Sequence, residues 1–354
     1  MASMTDSIDR RLRDLRVSVT DRCNLRCTYC MPREVFGSEY RFLQRSQLLS
    51  FEEIERLVRV LAGHGVRKVR LTGGEPLLRR ELDALVGMLA ALDGIEDVAL
   101  TTNGTALAAQ AERLARAGLD RVTVSLDALD EQVFQSMSDT RFPLARVLEG
   151  IEAAESAGLG PVKVNMVVRR GVNDHCVLEM AERFRGGRQI LRFIEYMDVG
   201  TTNGWRLDDV VPASEILARL HARWPLRRLA AERPGEVAAR WAYEDGGGEI
   251  GVISSVTEPF CDGCTRARLS ADGQLYTCLF AERGHDLRAL LRTTADDAQL
   301  AERVNEIWSA RADRYSQLRA ERTRAAASAD RGLGGGGTRA PRERRRVEMS
   351  YIGG

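Results

Sequence analysis

Between residues 15 and 200 the chain alternates short apolar, β-branched runs with longer stretches whose apolar residues recur at helical spacing. The runs are LRVSVT (15–20), KVRLTGG (68–74), DVALTTNG (97–104), RVTVSLDA (121–128), VKVNMVV (162–168) and ILRFIEYM (190–197). Between them lie IERLVRVLAGHG, LDALVGMLAAL, AAQAERLARAG and LARVLEGIEAAESAG. Ser50, with Glu53 three residues on, predicts a capping box at the head of the first helix. Gly118 and Gly158 predict C-terminal stops for the last two. Six strands alternating with helices predict parallel pairing through right-handed crossovers. The expected fold is α/β, a partial (β/α)6 TIM-like barrel. Ligand-handling residues are then expected at the C-terminal strand ends, at Thr72 to Glu75, Thr101 to Gly104, Ser125 and Met197. An open doubly wound sheet would leave that expectation mostly intact.

After residue 204 the pattern changes to a Trp- and Pro-containing helix, a Gly-rich turn at 246–248 and a helical pattern running to about 320. Residues 322–346 are rich in Ala, Gly and Arg, with a glycine run from Gly334 to Gly337 and RERRR after it, and predict a flexible linker. VEMSYIGG follows as a short ordered tail. The expected division is a barrel over 1–204, a C-terminal region over 205–321, a linker over 322–346 and a tail over 347–354.

A net charge of +1 gives no global field for nucleic acid or a membrane surface. No apolar run reaches membrane-spanning length, and MASMTDSIDRRLRDLR has no apolar h-region, so a cytoplasmic location is expected. Basic residues are almost all arginine; the two lysines are Lys68 and Lys163. Genome composition accounts for the bias, and the two exceptions mark places where a compact ammonium is wanted.

Six of the seven cysteines form two groups of three; the seventh, Cys176, reads as a structural thiol near a helix start. Cys23, Cys27 and Cys30 have the spacing C-x3-C-x2-C on one loop, which suits a compact soft-metal centre. Structural zinc closes with four ligands, and no histidine is adjacent. Three thiolates with no fourth fit a [4Fe–4S] cluster with one open iron. The cysteine spacing directly after the first strand, with Tyr29 before the last cysteine and TGGEP (72–76) ending the second strand, resembles the radical S-adenosylmethionine (SAM) superfamily. That resemblance implies SAM on the open iron, with Tyr29, Gly74, Glu75, Ser125 and Met197 at cofactor-contacting positions.

The second group, Cys261, Cys264 and Cys278 in CDGCTRARLSADGQLYTC, is again one ligand short. Arg266 and Arg268 at alternate positions present both guanidinium groups on one side of an extended segment. Paired arginines call for an anion, and a polyphosphate matches their forks. Arg16 and Arg70 alternate with apolar residues on the first two strands and are expected to point inward with them.

Both cysteine groups, TRARLS, and the terminal Gly353–Gly354 pair resemble the GTP 3′,8-cyclases of molybdenum cofactor biosynthesis, over residues 10 to 321 and the last eight. The resemblance implies two [4Fe–4S] clusters, SAM, and GTP bound beside the second cluster. It assigns Arg16, Arg70, Thr101, Lys163, Arg192, Arg266 and Arg268 to the substrate, and Arg16, Arg266, Arg268, Gly353 and Gly354 to catalysis. It further implies a small electron-donor protein and a downstream cyclic pyranopterin monophosphate synthase as partners, with a homodimer allowed. Two rivals remain: a peptide-modifying radical SAM enzyme with an auxiliary cluster, which would call for more C-terminal cysteines, and a zinc-dependent nucleic-acid binder using RERRR, which the near-zero net charge disfavours.

Overall fold

The computed structural model describes residues 4–233, 235–293, 296–329 and 346–353. All six expected strands form: β1 (Asp14–Ser18), β2 (Lys68–Thr72), β3 (Asp97–Thr102), β4 (Arg121–Ser125), β5 (Lys163–Val168) and β6 (Ile190–Glu195). They pair in chain order and in parallel. One face carries Leu15, Val17, Val69, Leu71, Val122, Val164 and Phe193, all buried in the main apolar core with Leu57, Leu61, Leu85 and Leu114 of the helices. The opposite face carries Asp14, Arg16, Lys68, Arg70, Thr101, Thr123, Lys163, Asn165 and Arg192, which line a cavity. Parallel strands packed on both faces usually read as nearly continuous apolar runs. Here most inner-face positions are polar, with Ala99, Val167 and Ile194 among the exceptions, because that face encloses a polar space.

The predicted capping box is present: Glu53 N donates to Ser50 Oγ at 3.1 Å and Ser50 N donates to the Glu53 carboxylate at 2.7 Å. The helices Ala111–Arg116 and Leu144–Ser156 end before Gly118 and Gly158, as expected. Cys176 is buried in the core.

Strands after residue 204 extend the same sheet. These are β7 (Leu226–Arg228), β8 (Ala239–Tyr243), β9 (Glu249–Ile253), β10 (Arg266–Leu269), β11 (Gln274–Tyr276) and β12 (His285–Asp286). The order across the sheet is β12-β11-β10-β1-β2-β3-β4-β5-β6-β9-β8-β7. β10 joins β1 and β9 joins β6, both in parallel, so the parallel run holds eight strands rather than the six expected. The later segment therefore builds both edges of the sheet.

Two expectations need correction. The single long helix is two, Asp297–Ser309 and Tyr315–Ala329, separated by a break that carries Arg311 and Asp313. The second runs to Ala329, so the first eight residues of the expected linker (322–329) are helical: their Ala- and Arg-rich sequence is good helix former. Residues 330–345 lie outside the described residues. The tail forms a short helix, Met349–Ile352. No described helix is long and apolar enough to cross a membrane.

Candidate functional site

The inner face of the sheet bounds a cavity of about 440 Å³, and all six clustered cysteines line it. Strand direction separates them. Cys23, Cys27 and Cys30 follow β1 and so lie at the C-terminal edge of the parallel strands. Cys261 and Cys264 precede β10, whose Arg266 pairs with Asp14 and Arg268 with Arg16, so they lie at the N-terminal edge. Cys278 follows β11, which runs antiparallel to β10 with Tyr276 opposite Arg268, and reaches the same edge. The four residues of strand between the two edges span about 13 Å.

The loop of the first group is clamped by the second strand's end. Gly74 N donates to Thr20 O at 2.9 Å and Glu75 N to Arg22 O at 2.8 Å. A Cβ on Gly74 would collide with the Arg22 carbonyl, so the glycine is required by contact with the cysteine loop itself. Glu75 is buried and accepts hydrogen bonds from Leu77 N (3.0 Å), Thr102 Oγ1 (2.7 Å) and Asn103 N (2.7 Å). Its carboxylate is thus largely engaged by the protein, with Oε2 holding a single donor. Burial outweighs these bonds and raises it to about 7. Tyr29 donates to Asp127 Oδ2 at 2.7 Å, which commits its hydroxyl to the protein. Ser125 ends β4 and lines the cavity; Met197 lies two residues beyond β6, lines it too, and belongs to neither apolar core cluster.

Burial, assisted by Glu75, raises Cys23 to about 11. Burial and then Cys23 and Cys30 push Cys27 well up, and burial and then Cys23 raise Cys30. These three half-buried cysteines oppose ionisation as a group, and a joining cation lets them ionise together. That chemistry fits an iron–sulfur cluster. Among the described residues no three His, Cys, Asp or Glu side chains converge on a single ion, so the case rests on the thiols and the cavity they share.

The lumen between the edges is cationic. Arg16 sits between Arg268 and Arg70 in the sheet register. Arg70 donates to Thr101 Oγ1 (3.0 Å) and Thr123 Oγ1 (3.1 Å), and Arg192 to Thr123 Oγ1 (3.3 Å). Lys163 lies opposite Thr123. Lys68 and Arg121 both pair with Asp97, which gives Lys68 a structural partner. Among the described residues Arg16, Arg70, Lys163, Arg192, Arg266 and Arg268 form no ion pair with a carboxylate. The cost shows in their acidity. Burial, then Arg268, Arg70 and Arg266, holds Arg16 well below the usual range. Burial, then Arg192 and Arg121, lowers Lys163 to about 7. Burial, then Arg70, lowers Arg192 to about 9. A group of like charges turned into one cavity, half-buried except for the buried Arg268, calls for a polyanion.

At the N-terminal edge, burial raises Cys264, but Arg266 and Arg311 override it and bring the thiol to about 6. Their Nη2 atoms donate to Cys264 Sγ at 3.2 and 3.1 Å. Burial, then Asp313, raises Cys278 to about 11. Arg268 donates to the Gly353 carbonyl. Gly353 has φ +70°, and a Cβ there would collide with Thr72, so only glycine fits. The tail is latched outside the cavity. Arg346 Nη1 pairs with Asp198 Oδ2 at 2.8 Å, and Glu348 accepts from Thr201 N (3.0 Å) and Thr202 Oγ1 (2.9 Å). Gly354 lies outside the described residues.

Every described candidate named for a ligand or for catalysis lines this cavity or, in the case of Gly353, touches a residue that does; of the expected strand-end stretches only Gly104 does not line it. Asn103 falls inside the expected stretch Thr101 to Gly104 but was given no role, and Asp127, Asp198, Arg311 and Glu348 were missed. DVALTTNG and RVTVSLDA ended in two of them; the rest depend on contacts between distant segments.

Comparison with known proteins gives two family matches: the Radical SAM superfamily over residues 17–184 and Molybdenum Cofactor Synthesis C over 189–317. A GTP 3′,8-cyclase of Acidothermus cellulolyticus is 56% identical, covering 99% of this chain and 98% of the relative. Proteins of the same name from Xanthomonas axonopodis pv. citri and Staphylococcus aureus are 52% and 44% identical, covering 100% and 99% of this chain and 99% and 98% of theirs. The crystal structure of Streptococcus suis SuiB bound to S-adenosylmethionine is similar in fold, with a TM-score of 0.58 at 15% identity, covering 88% of this chain and 69% of that one.

Proposed function

We infer that this chain, which belongs to the GTP 3′,8-cyclase family of the radical SAM superfamily, converts GTP to (8S)-3′,8-cyclo-7,8-dihydroguanosine 5′-triphosphate, the first step of molybdenum cofactor biosynthesis. Family membership brings a [4Fe–4S] cluster and SAM, for which Cys23, Cys27 and Cys30 are the proposed ligands. When both are bound, the chemistry supplied is a 5′-deoxyadenosyl radical able to take the 3′ hydrogen of the ribose. A second cluster on Cys261, Cys264 and Cys278 is proposed from their shared place in the same cavity.

The chain's own residues are proposed to act as follows. Glu75 Oε2, with one donor filled, accepts the SAM ammonium, while Ser125 and Met197 line its berth. Arg16, Arg70, Thr101, Lys163 and Arg192 receive the triphosphate and hold the ribose toward the first cysteine group. Arg266 and Arg268 bridge the substrate to the N-terminal edge, and Gly353 meets Arg268 there. The lumen excludes water from a reactive carbon centre and fixes one hydrogen in reach. A small electron-donor protein and a downstream cyclic pyranopterin monophosphate synthase remain proposed partners.

The observation that carries this reading is one cavity lined by a three-cysteine group at each strand edge and by six cations that, among the described residues, have no carboxylate partner. The test is anaerobic incubation with GTP, SAM and a reductant. Deoxyadenosine and the cyclised nucleotide are expected together; deoxyadenosine without a GTP-derived product would refute the substrate.

A further inference from the structure

We propose that Arg311 is a positioning residue for the C-terminal iron–sulfur cluster, aimed at Cys264 by Asp6 from the opposite end of the chain. The inference rests on the cluster proposed above at Cys261, Cys264 and Cys278. Arg311 lies in the break between the last two long helices, with its side chain 2% exposed. Its Nη1 donates to Cys264 O at 2.8 Å and its Nη2 to Cys264 Sγ at 3.1 Å. The same guanidinium stands 3.3 Å from Asp6 Oδ2, on a fully buried carboxylate. Asp6 also accepts from Arg10 Nε at 2.6 Å and Arg10 N at 2.9 Å. Arg10 Nη1 in turn donates to Cys261 O and Asp313 O, each at 2.9 Å. Trp308 stacks against Arg311 at 4.5 Å and donates from Nε1 to Arg10 O at 3.0 Å. Two segments some 300 residues apart thus converge on both cysteines that precede β10.

Holding the N-terminal segment in place does not require such a network, because well-packed apolar residues do that as well or better than buried ions. What the ions add is direction. Two donors end on cysteine carbonyls and one on the sulfur itself. Donors to a ligating sulfur stabilise the reduced, more negative cluster and raise its potential. Arg266 is the other donor to Cys264 Sγ, but it is assigned to substrate. Arg311 is the donor that remains with the sulfur whether or not substrate is bound.

The test is a redox titration followed by electron paramagnetic resonance on the anaerobically reconstituted full chain. Arg311→Gln is expected to lower the potential of the C-terminal cluster and leave the N-terminal one unmoved, with Arg311→Lys recovering part of the shift. Asp6→Asn, which leaves Arg311 in place but removes what aims it, is expected to move the same potential in the direction of Arg311→Gln by a smaller amount; an upward move would show a bare charge effect and overturn the aiming by Asp6. Unchanged potential and line shape in Arg311→Gln would overturn the proposal. Should that variant fail to fold, the Arg311→Lys and Asp6→Asn arms decide, and no shift in either overturns it. Wild-type protein holding about four irons, all retained in Cys264→Ser and lost in Cys23→Ser, would overturn the second cluster and this proposal with it. Two clusters with an unmoved potential would overturn the proposal alone.

Discussion

Around Cys23, Cys27 and Cys30 the charged neighbours that act most on the thiols are Glu75, Asp127 and Glu348, whereas around Cys264 they are Arg266 and Arg311. The cysteine count is the same at both edges, but Cys264 sits among cations where the first group sits among carboxylates, and Cys278 in its group has a carboxylate, Asp313, acting on it. An acidic neighbourhood suits a ligand that arrives with an ammonium and a sulfonium. A basic one suits a ligand that arrives with phosphates. The two groups are therefore not duplicates: they share a cysteine count but differ in the charges set beside their sulfurs.

The comparison breaks most sharply at the cysteines. Cys27→Ser should reduce deoxyadenosine formation to background. Cys264→Ser should leave SAM cleavage largely intact and lose the cyclised nucleotide, both followed by chromatography of the quenched reaction. Loss of both products in Cys264→Ser would show that the two edges do not work separately. Next is Arg16, between the edges. Arg16→Met should weaken GTP binding about 10- to 100-fold, the worth of one charged hydrogen bond, while SAM affinity measured by calorimetry stays put. An equal loss in SAM affinity would mean that the cation serves both ends.

The pH dependence of nucleotide binding should follow Lys163, which Arg192, Arg121, Arg70 and Lys68 face, while Asp97 is occupied by Lys68 and Arg121. The empty protein loses this charge as pH rises through about 7. A bound polyphosphate restores the lysine's preference for its proton, so binding above that pH takes one up. GTP affinity should therefore be flat below pH 7 and fall by up to about tenfold per pH unit above it. Lys163→Arg should flatten the profile; an unchanged slope would assign the proton elsewhere. The smallest expected effect is at the tail. Gly353→Ala, strained at its positive φ, should cost about tenfold in cyclisation with iron content and SAM cleavage unchanged. Full turnover in that variant would remove the tail from the reaction.

The six central strands were legible because their alternation is strong and local. Arg16, Arg70 and Lys163 could be read as inward from the same alternation. β9 and β10 were not, since each is short and its partner lies far away: β10 pairs with β1 across some 250 residues, and no local pattern announces such a neighbour. Chemistry followed the same division. Cysteines, TGGEP and TRARLS announced themselves by spacing. Arg311 was one arginine among dozens, and only the fold brings it to Cys264. Glu75 was legible as a residue but not as an anchor, because its three donors come from its own turn and from the end of β3.

The inward-facing cations of the lumen have a further consequence. A domain core is ordinarily finished by the chain's own side chains; under the proposed function this one is finished by its substrate. Arg16, Arg70, Lys163, Arg192 and Arg268 crowd a space in which, among the described residues, none of them forms an ion pair with a carboxylate. A ligand at a hundred times its dissociation constant adds about 2.7 kcal/mol to folding stability, a sizeable share of what holds a domain together. The melting temperature should then track nucleotide concentration. A cell depleted of guanine nucleotide would lose not only turnover but also the enzyme, through faster unfolding and degradation.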